Sequence, residues 1–458
     1  MPRPAPLSGF PEWLPRQRIA EQLVTDTLRH AFELHGFAPV QTRAVEPLEQ
    51  LLSKGETSKE VYVLRRLQAP PDAGDAGLGL HFDLTVPFAR YVLENAGKLT
   101  FPFRRYQIQQ VWRGERPQEG RFREFWQADI DIVGDGDLPA HHDAEIPLAV
   151  LDALSRLPLP PLRLQVNNRR LVEGVCLGLG ITDVAGALRA LDRLEKVGVA
   201  GVHRALSELG VAASAADRLL AFASVSGDAA AVRGAVAAAG VSGPLVEAGL
   251  AELTAVLDAC AGAGAGVVEA DLAITRGLDY YTGTVYETRL VGHEQLGSIC
   301  SGGRYDALAE ADGHVYPGVG ISIGVSRLLS RLFATDSLDA TRSATAAVLV
   351  AVPDESSRGA AGAVAAALRA RDIPVEVSAS AARYGKQIRS ADRRGIPFVW
   401  FPPGPAADPA PAAADPADAA GPRGHEVRDL RSGDQVPADP ATWTPPAADR
   451  FPRLVGPP

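Results

Sequence analysis

Residues 103–133 read FRRYQIQQVWRGERPQEGRFREFWQADIDIV, and this stretch carries the densest structural and chemical signal of the chain. Two β-prone runs flank a polar loop that contains Gly114, Pro117 and Gly120, which predicts a β-hairpin with a long, charged tip. Because strand residues alternate between faces, one face of the second strand should carry Arg121, Arg123, Phe125, Gln127, Asp129 and Asp131. An exposed face would tolerate this set, whereas a buried face would need a charged ligand.

The hairpin has the composition of an anion site. Guanidinium groups form paired hydrogen bonds with phosphate oxygens, and the candidates are Arg113, Arg121 and Arg123. The Phe125 ring offers a surface for stacking, and Gln127 and Asp131 can fix a polar or cationic group of a substrate. The alternative is an ordinary solvated hairpin with surface charges, which composition alone does not exclude.

Length and composition limit the class of protein. The 458 residues are too many for one compact core and predict two or three domains. A net charge of −9 argues against indiscriminate binding to nucleic acid, although a local basic face could still bind RNA. Three separated cysteines form neither a disulfide framework nor a zinc pair. With no apolar signal core at the start and no apolar run long enough for a membrane, we expect a cytoplasmic protein.

Composition shifts divide the chain into parts. A helix is predicted where Ala20, Val24, Leu28 and Ala31 recur at helical spacing, ending at Gly36. Alanine-rich residues 166–265 predict a mostly helical segment. We predict these divisions: 1–165 and 266–335 as two parts of one mixed strand and helix domain, 166–265 as a helical insertion, 345–436 as an α/β domain with a Pro/Ala-rich loop at 402–423, and 437–458 as a poorly ordered tail.

Four shorter segments are weak signals when each is taken alone. Residues 271–287 read DLAITRGLDYYTGTVYE, residues 301–306 read SGGRYD, and residues 83–85 read DLT. Adjacent tyrosines are usually half-buried strand residues, and the other two segments would pass for a turn and a strand end. The glycine-rich residues 318–327 could equally be a buried strand and helix. We find neither a GxxxxGK[ST] phosphate loop nor a GxGxxG motif after a strand, so another device must hold any bound ATP.

Near the end of the second half, Lys386, Arg389 and Arg393 fall on one helical face. A solvated basic face is one interpretation of this spacing. Contact with RNA phosphates and bases is the other.

Taken together and in order, these segments resemble the class II aminoacyl-tRNA synthetases of the histidyl-tRNA synthetase family. The hairpin, with RGERPQ at 113–118 and GRFREFWQ at 120–127, is similar to motif 2 of that class. RGLDYYTG and SGGRYD resemble the histidine-specific segments, and residues 318–327 resemble motif 3. The GKQI and ADRRGIPF strings resemble the anticodon-binding domain of the same subgroup.

The resemblance implies roles for individual residues. The implied histidine pocket consists of Asp83, Leu84, Thr85, Arg113, Gln127, Asp131, Arg276, Tyr280, Tyr281 and Tyr305. The implied ATP site consists of Arg113, Glu115, Arg121, Phe125 and Arg327. The implied tRNA contacts are Arg116, Gln118, Lys386, Arg389 and Arg393. Arg113 and Arg276 would be the catalytic residues, because their positive charge lies where negative charge develops on the α-phosphate.

The resemblance also implies a fold and a reaction. The fold is an α/β (α+β) one, with an antiparallel catalytic sheet flanked by helices, a helical insertion and a C-terminal α/β anticodon-binding domain. The enzyme would be a homodimer without a protein metal site that uses ATP with Mg²⁺ to activate L-histidine and load it onto tRNA. Two positions depart from the family pattern, Arg43 where motif 1 has proline and Ser326 where motif 3 has glutamate. The alternatives are a non-catalytic regulatory subunit of histidine biosynthesis and another class II synthetase.

Overall fold

The computed structural model describes residues 5–52, 60–68, 77–118, 120–264, 266–275, 281–403 and 424–456. The chain divides into two compact units, of which the first is 1–11 with 25–335 and the second is 12–24 with 336–458. Two predicted site residues, Arg276 and Tyr280, lie outside the described residues, as does most of the predicted loop at 402–423. Within the described ranges, no helix has the length and apolar character needed to cross a membrane.

The first unit contains most of the chain's helices and strands. Its helices are α1 (Pro15–Leu34, the first part of which belongs to the second unit), α2 (Leu48–Leu52), α3 (Thr85–Asn95), α4 (His142–Ser155), α5 (Arg169–Gly178), α6 (Val184–Leu191), α7 (Leu194–Glu208), α8 (Ala213–Ala223), α9 (Ala229–Ala239), α10 (Pro244–Cys260) and α11 (Val325–Ala334). Its strands are β1 (Ala38–Pro39), β2 (Val45–Pro47), β3 (Leu78–Leu80), β4 (Phe103–Trp112), β5 (Glu124–Val133), β6 (Leu162–Asn168), β7 (Ser226–Gly227), β8 (Val268–Asp271), β9 (Thr284–Leu290), β10 (Cys300–Tyr305), β11 (Glu310–Ala311), β12 (His314–Val315) and β13 (Gly318–Gly324).

The predicted hairpin lies in a nine-stranded sheet of order β1-β4-β5-β13-β10-β9-β6-β8-β7. β4 and β5 pair antiparallel from Phe103 opposite Val133 to Trp112 opposite Glu124, which confirms the hairpin. β13 pairs antiparallel with the other edge of β5. Most neighbouring pairs are antiparallel, with parallel pairing at β1–β4 and β6–β8. The sheet is therefore the predicted antiparallel-dominated one, and it places β5 between two strands.

The helix predicted from the apolar spacing is present as α1. In α1 the positions with helical spacing, Ala20, Val24, Leu28 and Ala31, are all fully buried. The helix ends at Leu34, close to Gly36, whose φ of 78° is unfavourable for other residues. Helices α5 to α10 make up most of residues 169–260, which confirms a mostly helical segment there.

The second unit contains a smaller sheet of five strands in the order β16-β15-β17-β18-β19. Its strands are β14 (Asp339–Ala340), β15 (Val348–Val350), β16 (Val375–Val377), β17 (Phe398–Phe401), β18 (Glu426–Asp429), β19 (Gln435–Pro437) and β20 (Leu454–Val455), with β14 and β20 paired apart from the five. Its helices are α12 (Arg358–Arg369), α13 (Tyr384–Asp392) and α14 (Ala447–Arg450). β15 pairs parallel with both β16 and β17, so the predicted α/β module is present.

The prediction that the chain is poorly ordered from Pro437 onward is wrong for residues 437–456. Trp443 packs edge-on against Phe398 and Trp400, with ring centres 5.3 and 5.5 Å apart. The Arg371 guanidinium donates a hydrogen bond of 2.7 Å to the carbonyl oxygen of Trp443. Proline-rich composition suggested disorder, but one large aromatic side chain and a guanidinium anchor this segment to the second unit.

Candidate active site

A cavity of about 280 Å³ opens above the hairpin, and we call it the arginine cavity. Its lining residues are Arg113, Glu115, Gly120, Arg121, Phe122, Phe125, Gln127, Glu287, Ser298, Ile299, Cys300, Ser301, Ser322, Gly324 and Arg327. All five residues predicted for ATP are in this set. The structure thus brings together three guanidinium groups and an aromatic ring, which is the composition expected of a nucleotide site.

Arg113 is held in place by two contacts at the base of the hairpin tip. Its Nε donates a hydrogen bond of 3.0 Å to the carbonyl oxygen of Phe82. Its guanidinium carbon lies 5.2 Å from the centre of the Phe125 ring, within the range of a cation–π contact. Nε is engaged by the Phe82 carbonyl. The two Nη atoms form no hydrogen bond with a described residue, so they are available to an anion. On the other side, the Arg121 guanidinium lies 3.5 Å from the Glu115 carboxylate.

The assignment of Arg123 to phosphate binding is not supported by its position. Arg123 is not among the lining residues of the arginine cavity. Its Nε donates to the carbonyl oxygen of Glu115 at 3.2 Å, and its backbone nitrogen donates to that of Gly9 at 2.7 Å. Arg123 therefore ties the hairpin tip to the N-terminal segment. Strand alternation could not predict this, because it says nothing about which distant backbone carbonyls lie beside the tip.

A smaller cavity of about 90 Å³ adjoins the first, and we call it the acidic cavity. Its lining residues are Asp83, Thr85, Arg113, Gln127, Asp129, Asp131, Tyr281, Ser301, Gly302, Gly303, Tyr305, Gly320, Ile321 and Ser322. Four residues line both cavities, namely Arg113, Gln127, Ser301 and Ser322. The two cavities therefore share a wall, and Arg113 lies between a basic compartment and an acidic one.

Asp131 is the most extensively held carboxylate of the acidic cavity. One oxygen lies 2.6 Å from the guanidinium of Arg105 on the neighbouring strand. The other accepts a hydrogen bond of 2.8 Å from the Tyr305 hydroxyl. Burial, together with the negative charge of Asp131, raises the pKa of Tyr305 well above its usual value, so the hydroxyl stays protonated and donates. Arg105 is itself fully buried and lies 4.1 Å from the centre of the Phe88 ring.

Glycines in β10 and β13 make room for these side chains. A Cβ atom on Gly320 would lie 2.1 Å from an Asp131 carboxylate oxygen. A Cβ on Gly318 would lie 2.4 Å from the Tyr305 ring, and one on Gly303 would lie 2.8 Å from the Tyr281 ring. Such distances are impossible without displacement. The glycines of SGGRYD and of residues 318–327 are therefore explained by the close approach of the cavity's own lining residues.

Of the three residues at 83–85, two line the acidic cavity. Asp83 and Thr85 do so, whereas the Leu84 side chain is fully buried and is not in the lining. An oxygen of Asp83 accepts a hydrogen bond of 3.0 Å from the backbone nitrogen of Val86, at the start of α3. The carboxylate is thus fixed at a helix N-terminus, where a negative charge is stabilised.

Sequence reasoning missed three residues of the acidic cavity and its surroundings: Arg105, Asp129 and Ser322. The hairpin register would have predicted the first, since Arg105 lies opposite Asp131. Ser322 lies opposite Asp129 on β13 and accepts a hydrogen bond of 2.7 Å from Gln127. Burial raises the pKa of Asp129 to about 7, although Arg105 acts in the opposite direction. The alternation placed Asp129 on this face of β5, but it could not show that the face is buried.

The two departures from the family pattern have local explanations. The Ser326 hydroxyl accepts a hydrogen bond of 2.9 Å from the backbone nitrogen of Trp126, so it links α11 to β5. The next residue, Arg327, still lines the arginine cavity and donates to the carbonyl oxygen of Leu296. Arg43 lies 3.0 Å from the buried carboxylate of Glu46. Neither substitution removes a lining residue of the two cavities.

The residues predicted to contact tRNA lie on the surface. Arg116 and Gln118 are exposed at the hairpin tip. Lys386 and Arg389 are exposed on α13, and Arg393 is exposed immediately after it. By contrast, the adjacent Arg394 pairs with Glu376 at 2.7 Å. The exposed cations of α13 form no ion pair with any other described residue, so a polyanion could reach them.

The second unit defines the class of protein. A family model described as an anticodon binding domain matches residues 346–401, which include β15, α12, β16, α13 and β17. An antiparallel sheet with an arginine cavity, followed by an anticodon-binding domain, is the architecture of an aminoacyl-tRNA synthetase. The anticodon-binding domain also argues against the regulatory-subunit alternative, which should lack it.

Comparison with known proteins gives the family. The model described as histidyl-tRNA synthetase matches residues 9–328. The histidine–tRNA ligase of Micrococcus luteus is 54% identical, with 99% of both chains covered, and that of Cutibacterium acnes is 53% identical, with 100% of both covered. The crystal structure of histidyl-tRNA synthetase from Nostoc sp. PCC 7120 matches with a TM-score of 0.79 and 34% identity over 94% of this chain and 96% of that one. The chain belongs to the histidyl-tRNA synthetase family.

Proposed function

We propose that the acidic cavity holds the histidine side chain and that the arginine cavity holds ATP, with Arg113 between them. As a member of its family, the chain is a histidine–tRNA ligase. The observation that supports this placement is the shared wall of the two cavities, one rich in guanidinium groups and the other rich in carboxylates. The ammonium and imidazole groups of histidine would lie in the acidic compartment, and the polyanionic nucleotide would lie in the basic one.

In the first step, an oxygen of the histidine carboxylate attacks the α-phosphorus of ATP in line, and pyrophosphate leaves. Asp83, which lines the acidic cavity, would pair with the α-amino group of histidine. Arg113 and Arg276 would stabilise the negative charge that develops on the α-phosphate. Arg121 and Arg327 would hold the terminal phosphates, Phe125 would stack on adenine, and Glu115 would contact the nucleoside.

The side chain of histidine would be recognised by Gln127, Asp131, Tyr280, Tyr281 and Tyr305. Discrimination is expected to be strong, because buried polar groups that bind the substrate ring lose their partners when another amino acid enters. Thr85 would complete the amino end of the pocket. We propose that Leu84 contributes only through its backbone, because its side chain is buried in the core.

Mg²⁺ would arrive with ATP. Mg²⁺ typically keeps several waters and takes one or two carboxylates together with substrate phosphates. Glu287 fits this need, because its carboxylate is buried and lines the arginine cavity. No group of three or more metal-ligating side chains occurs within the described ranges. We therefore assign most of the coordination to phosphate and water, and the ion would neutralise charge on the phosphates.

In the second step, a hydroxyl of the terminal ribose of tRNA attacks the carbonyl carbon of the adenylate, and AMP leaves. Arg116 and Gln118 at the hairpin tip would contact the acceptor end of tRNA. The exposed cations Lys386, Arg389 and Arg393 would contact its anticodon region through phosphates and bases. We further propose that the enzyme is a cytoplasmic homodimer, with motif 1 around Arg43 at the dimer interface.

Histidine-dependent exchange of pyrophosphate into ATP tests the activation step, and charging of tRNA for histidine tests the transfer. We expect exchange with histidine alone among the standard amino acids. A regulatory subunit would give no exchange, and a synthetase of other specificity would respond to a different amino acid. Either result would overturn the proposal.

A further inference from the structure

Asp129 lines the acidic cavity and has no role in the site as described so far. It lies between Gln127 and Asp131 on the same face of β5, and all three residues line the cavity. Its exposed fraction is 2%. A carboxylate buried to this degree needs a partner, because burial disfavours the charged form.

The neighbouring carboxylate is already engaged. Asp131 is paired with the Arg105 guanidinium at 2.6 Å and accepts a hydrogen bond from the Tyr305 hydroxyl at 2.8 Å. Its approach to Gly320 leaves little freedom to reorient. A substrate ring that enters the cavity therefore meets an Asp131 whose two oxygens both have partners.

Asp129 differs in that one of its oxygens, Oδ1, is buried and finds no hydrogen-bond partner among the described residues. Oε1 of Gln127, two residues earlier on the same face of β5, is also buried and finds no hydrogen-bond partner among the described residues. Ser322, which lies opposite Asp129 on β13, accepts a hydrogen bond from Gln127 Nε2 and so orients the Gln127 amide. Two adjacent buried acceptors thus line one wall of the cavity without a donor.

The charged and titratable groups around Asp129 come from several elements. They are Arg105 on β4, Asp131 on β5, Asp83 before α3, Tyr281 before β9, Tyr305 on β10 and Arg113 after β4. The Arg105 guanidinium lies beside the Asp131 carboxylate, and Arg113 donates to the Phe82 carbonyl. Arg105 Nε and Nη2 also form no hydrogen bond with a described residue, so neither guanidinium supplies a donor to Asp129 Oδ1. We assign that donor to the substrate.

We propose that Asp129 is a specificity-determining residue that accepts a hydrogen bond from a ring N–H of histidine, so that the imidazole is bound as a cation with both ring nitrogens donating. A neutral imidazole has one donor and one acceptor, whereas the imidazolium has two donors. Two donors match the two unsatisfied acceptors of Gln127 and Asp129. This inference rests on the proposed placement of the histidine side chain in the acidic cavity.

A consequence is that histidine binding takes up a proton. Burial raises the pKa of Asp129 to about 7, and the free imidazole ring has a pKa of about 6.5. Above pH 7.5 both groups are mostly deprotonated before binding, but the bound pair holds one proton between them. Affinity for histidine should therefore fall by about tenfold per pH unit in this range, as expected for uptake of one proton.

The test is the pH profile of the KM for histidine in pyrophosphate exchange, measured between pH 6.5 and 8.5 for the unsubstituted protein and for Asp129→Asn. Asparagine keeps the shape and one acceptor oxygen but cannot ionise. We expect Asp129→Asn to raise KM at pH 7.5 by about tenfold or more, with kcat changed by less than about threefold. In Asp129→Asn, the rise of about tenfold in KM per pH unit should disappear. Only the pH dependence due to the α-amino group of histidine should remain.

The matched control is Asp228→Asn, at the N-terminus of α9, where the carboxylate caps Ala231 and asparagine caps equally well. Its pH profile should match that of the unsubstituted protein. Parallel profiles for Asp129→Asn and the unsubstituted protein would overturn the inference while leaving the proposed function intact. Absence of histidine-dependent exchange in the unsubstituted protein would overturn both.

A calorimetric measurement does not depend on the folding of any variant. Histidine is titrated into the unsubstituted protein at pH 8 in buffers of different ionisation enthalpy. The dependence of the measured heat on the buffer gives the number of protons exchanged. We expect uptake approaching one proton per site. No uptake, or release of a proton, would contradict the assignment of Asp129.

Discussion

The two sheets of this protein bury different chemistry. In the nine-stranded sheet, one face of β5 buries Gln127, Asp129 and Asp131. In the five-stranded sheet, the buried β17 consists of Phe398, Val399, Trp400 and Phe401 throughout. Burial of polar groups costs free energy unless they are paired. The buried polar side chains of β5 therefore need partners, whereas the apolar side chains of β17 do not.

The difference bears on where each unit would bind its ligand. In the proposed placement, the substrates of the first unit would lie against the polar face of β5 and supply the missing partners of its side chains. In the second unit the described sheet strands bury an apolar core, and the exposed cations proposed to contact tRNA lie outside the sheet, on α13 and immediately after it. Substitutions in the first sheet should therefore change the chemistry of activation, whereas substitutions on α13 should change only the interaction with tRNA.

The largest effect is expected from Arg113→Ala. Loss of the guanidinium between the two cavities should reduce the rate of pyrophosphate exchange by about 10²–10³-fold, as removal of one preorganised donor does elsewhere. The matched control is Arg123→Ala, a guanidinium of the same hairpin that contacts backbone carbonyls instead of the cavity. Its exchange rate should stay within about tenfold of the unsubstituted protein. Equal losses of exchange rate in the two variants would contradict the assignment of Arg113, and not Arg123, to the cavities.

A substitution in the cavity floor should have the next largest effect. In Gly320→Ala the new Cβ would meet an Asp131 oxygen at 2.1 Å and the Ile130 carbonyl oxygen at 2.6 Å. We expect a KM for histidine raised by roughly tenfold to a hundredfold and a free energy of unfolding lowered by about 1–3 kcal/mol. Gly234→Ala, within α9 and with nothing within 4 Å of its Cβ, should instead stabilise the fold by about 0.5–1 kcal/mol. Thermal unfolding and exchange kinetics measure both quantities.

Tyr305→Phe removes one hydrogen bond from Asp131 and leaves the ring in place. Loss of a donor to a buried acceptor costs about 1–3 kcal/mol. Because Asp131 keeps its ion pair with Arg105, we expect the lower half of that range, which corresponds to a KM for histidine raised roughly 5- to 30-fold. The control is Tyr106→Phe, because the Tyr106 hydroxyl donates an equally short hydrogen bond of 2.8 Å to Glu33 and does not line either cavity. A raised KM in the control, or an unchanged KM in Tyr305→Phe, would contradict the proposed role of the Asp131 network.

The smallest effect should come from α13. Arg389→Ala should raise the KM for tRNA several-fold and lower the slope of its salt dependence by about one, with pyrophosphate exchange unchanged. Arg394→Ala removes a neighbouring arginine that is already paired with Glu376, and its KM for tRNA should not change. Charging assays at several salt concentrations distinguish the two. A loss of exchange activity in Arg389→Ala would break the proposed separation between the two units.

The sequence predicted the hairpin well, because its two strands and polar loop are local signals. Period-two alternation also placed Gln127 and Asp131 on one face, but it could not show that the face is buried. Burial depends on β13, which is distant in sequence, and the importance of Asp129 follows from burial alone. Arg105 was missed although the hairpin register predicts its position opposite Asp131.

Two further differences between the sequence-based predictions and the structure have physical reasons. The guanidinium of Arg123 is directed by backbone carbonyls of Glu115 and the N-terminal segment, which no local pattern describes. The tail was predicted to be poorly ordered because of its proline content, but the ring of Trp443 packs into the second unit. The roles of Arg276 and Tyr280 remain predictions, since both residues lie outside the described ones.

The most direct test of the two-cavity arrangement is a crystal structure of the enzyme with an unreactive analogue of histidyl-adenylate. The arrangement predicts the imidazole beside Asp129 and Asp131, the adenine against Phe125, and the phosphate-mimicking group within hydrogen-bond distance of Arg113. An analogue bound in the reverse orientation, or outside these two cavities, would contradict it.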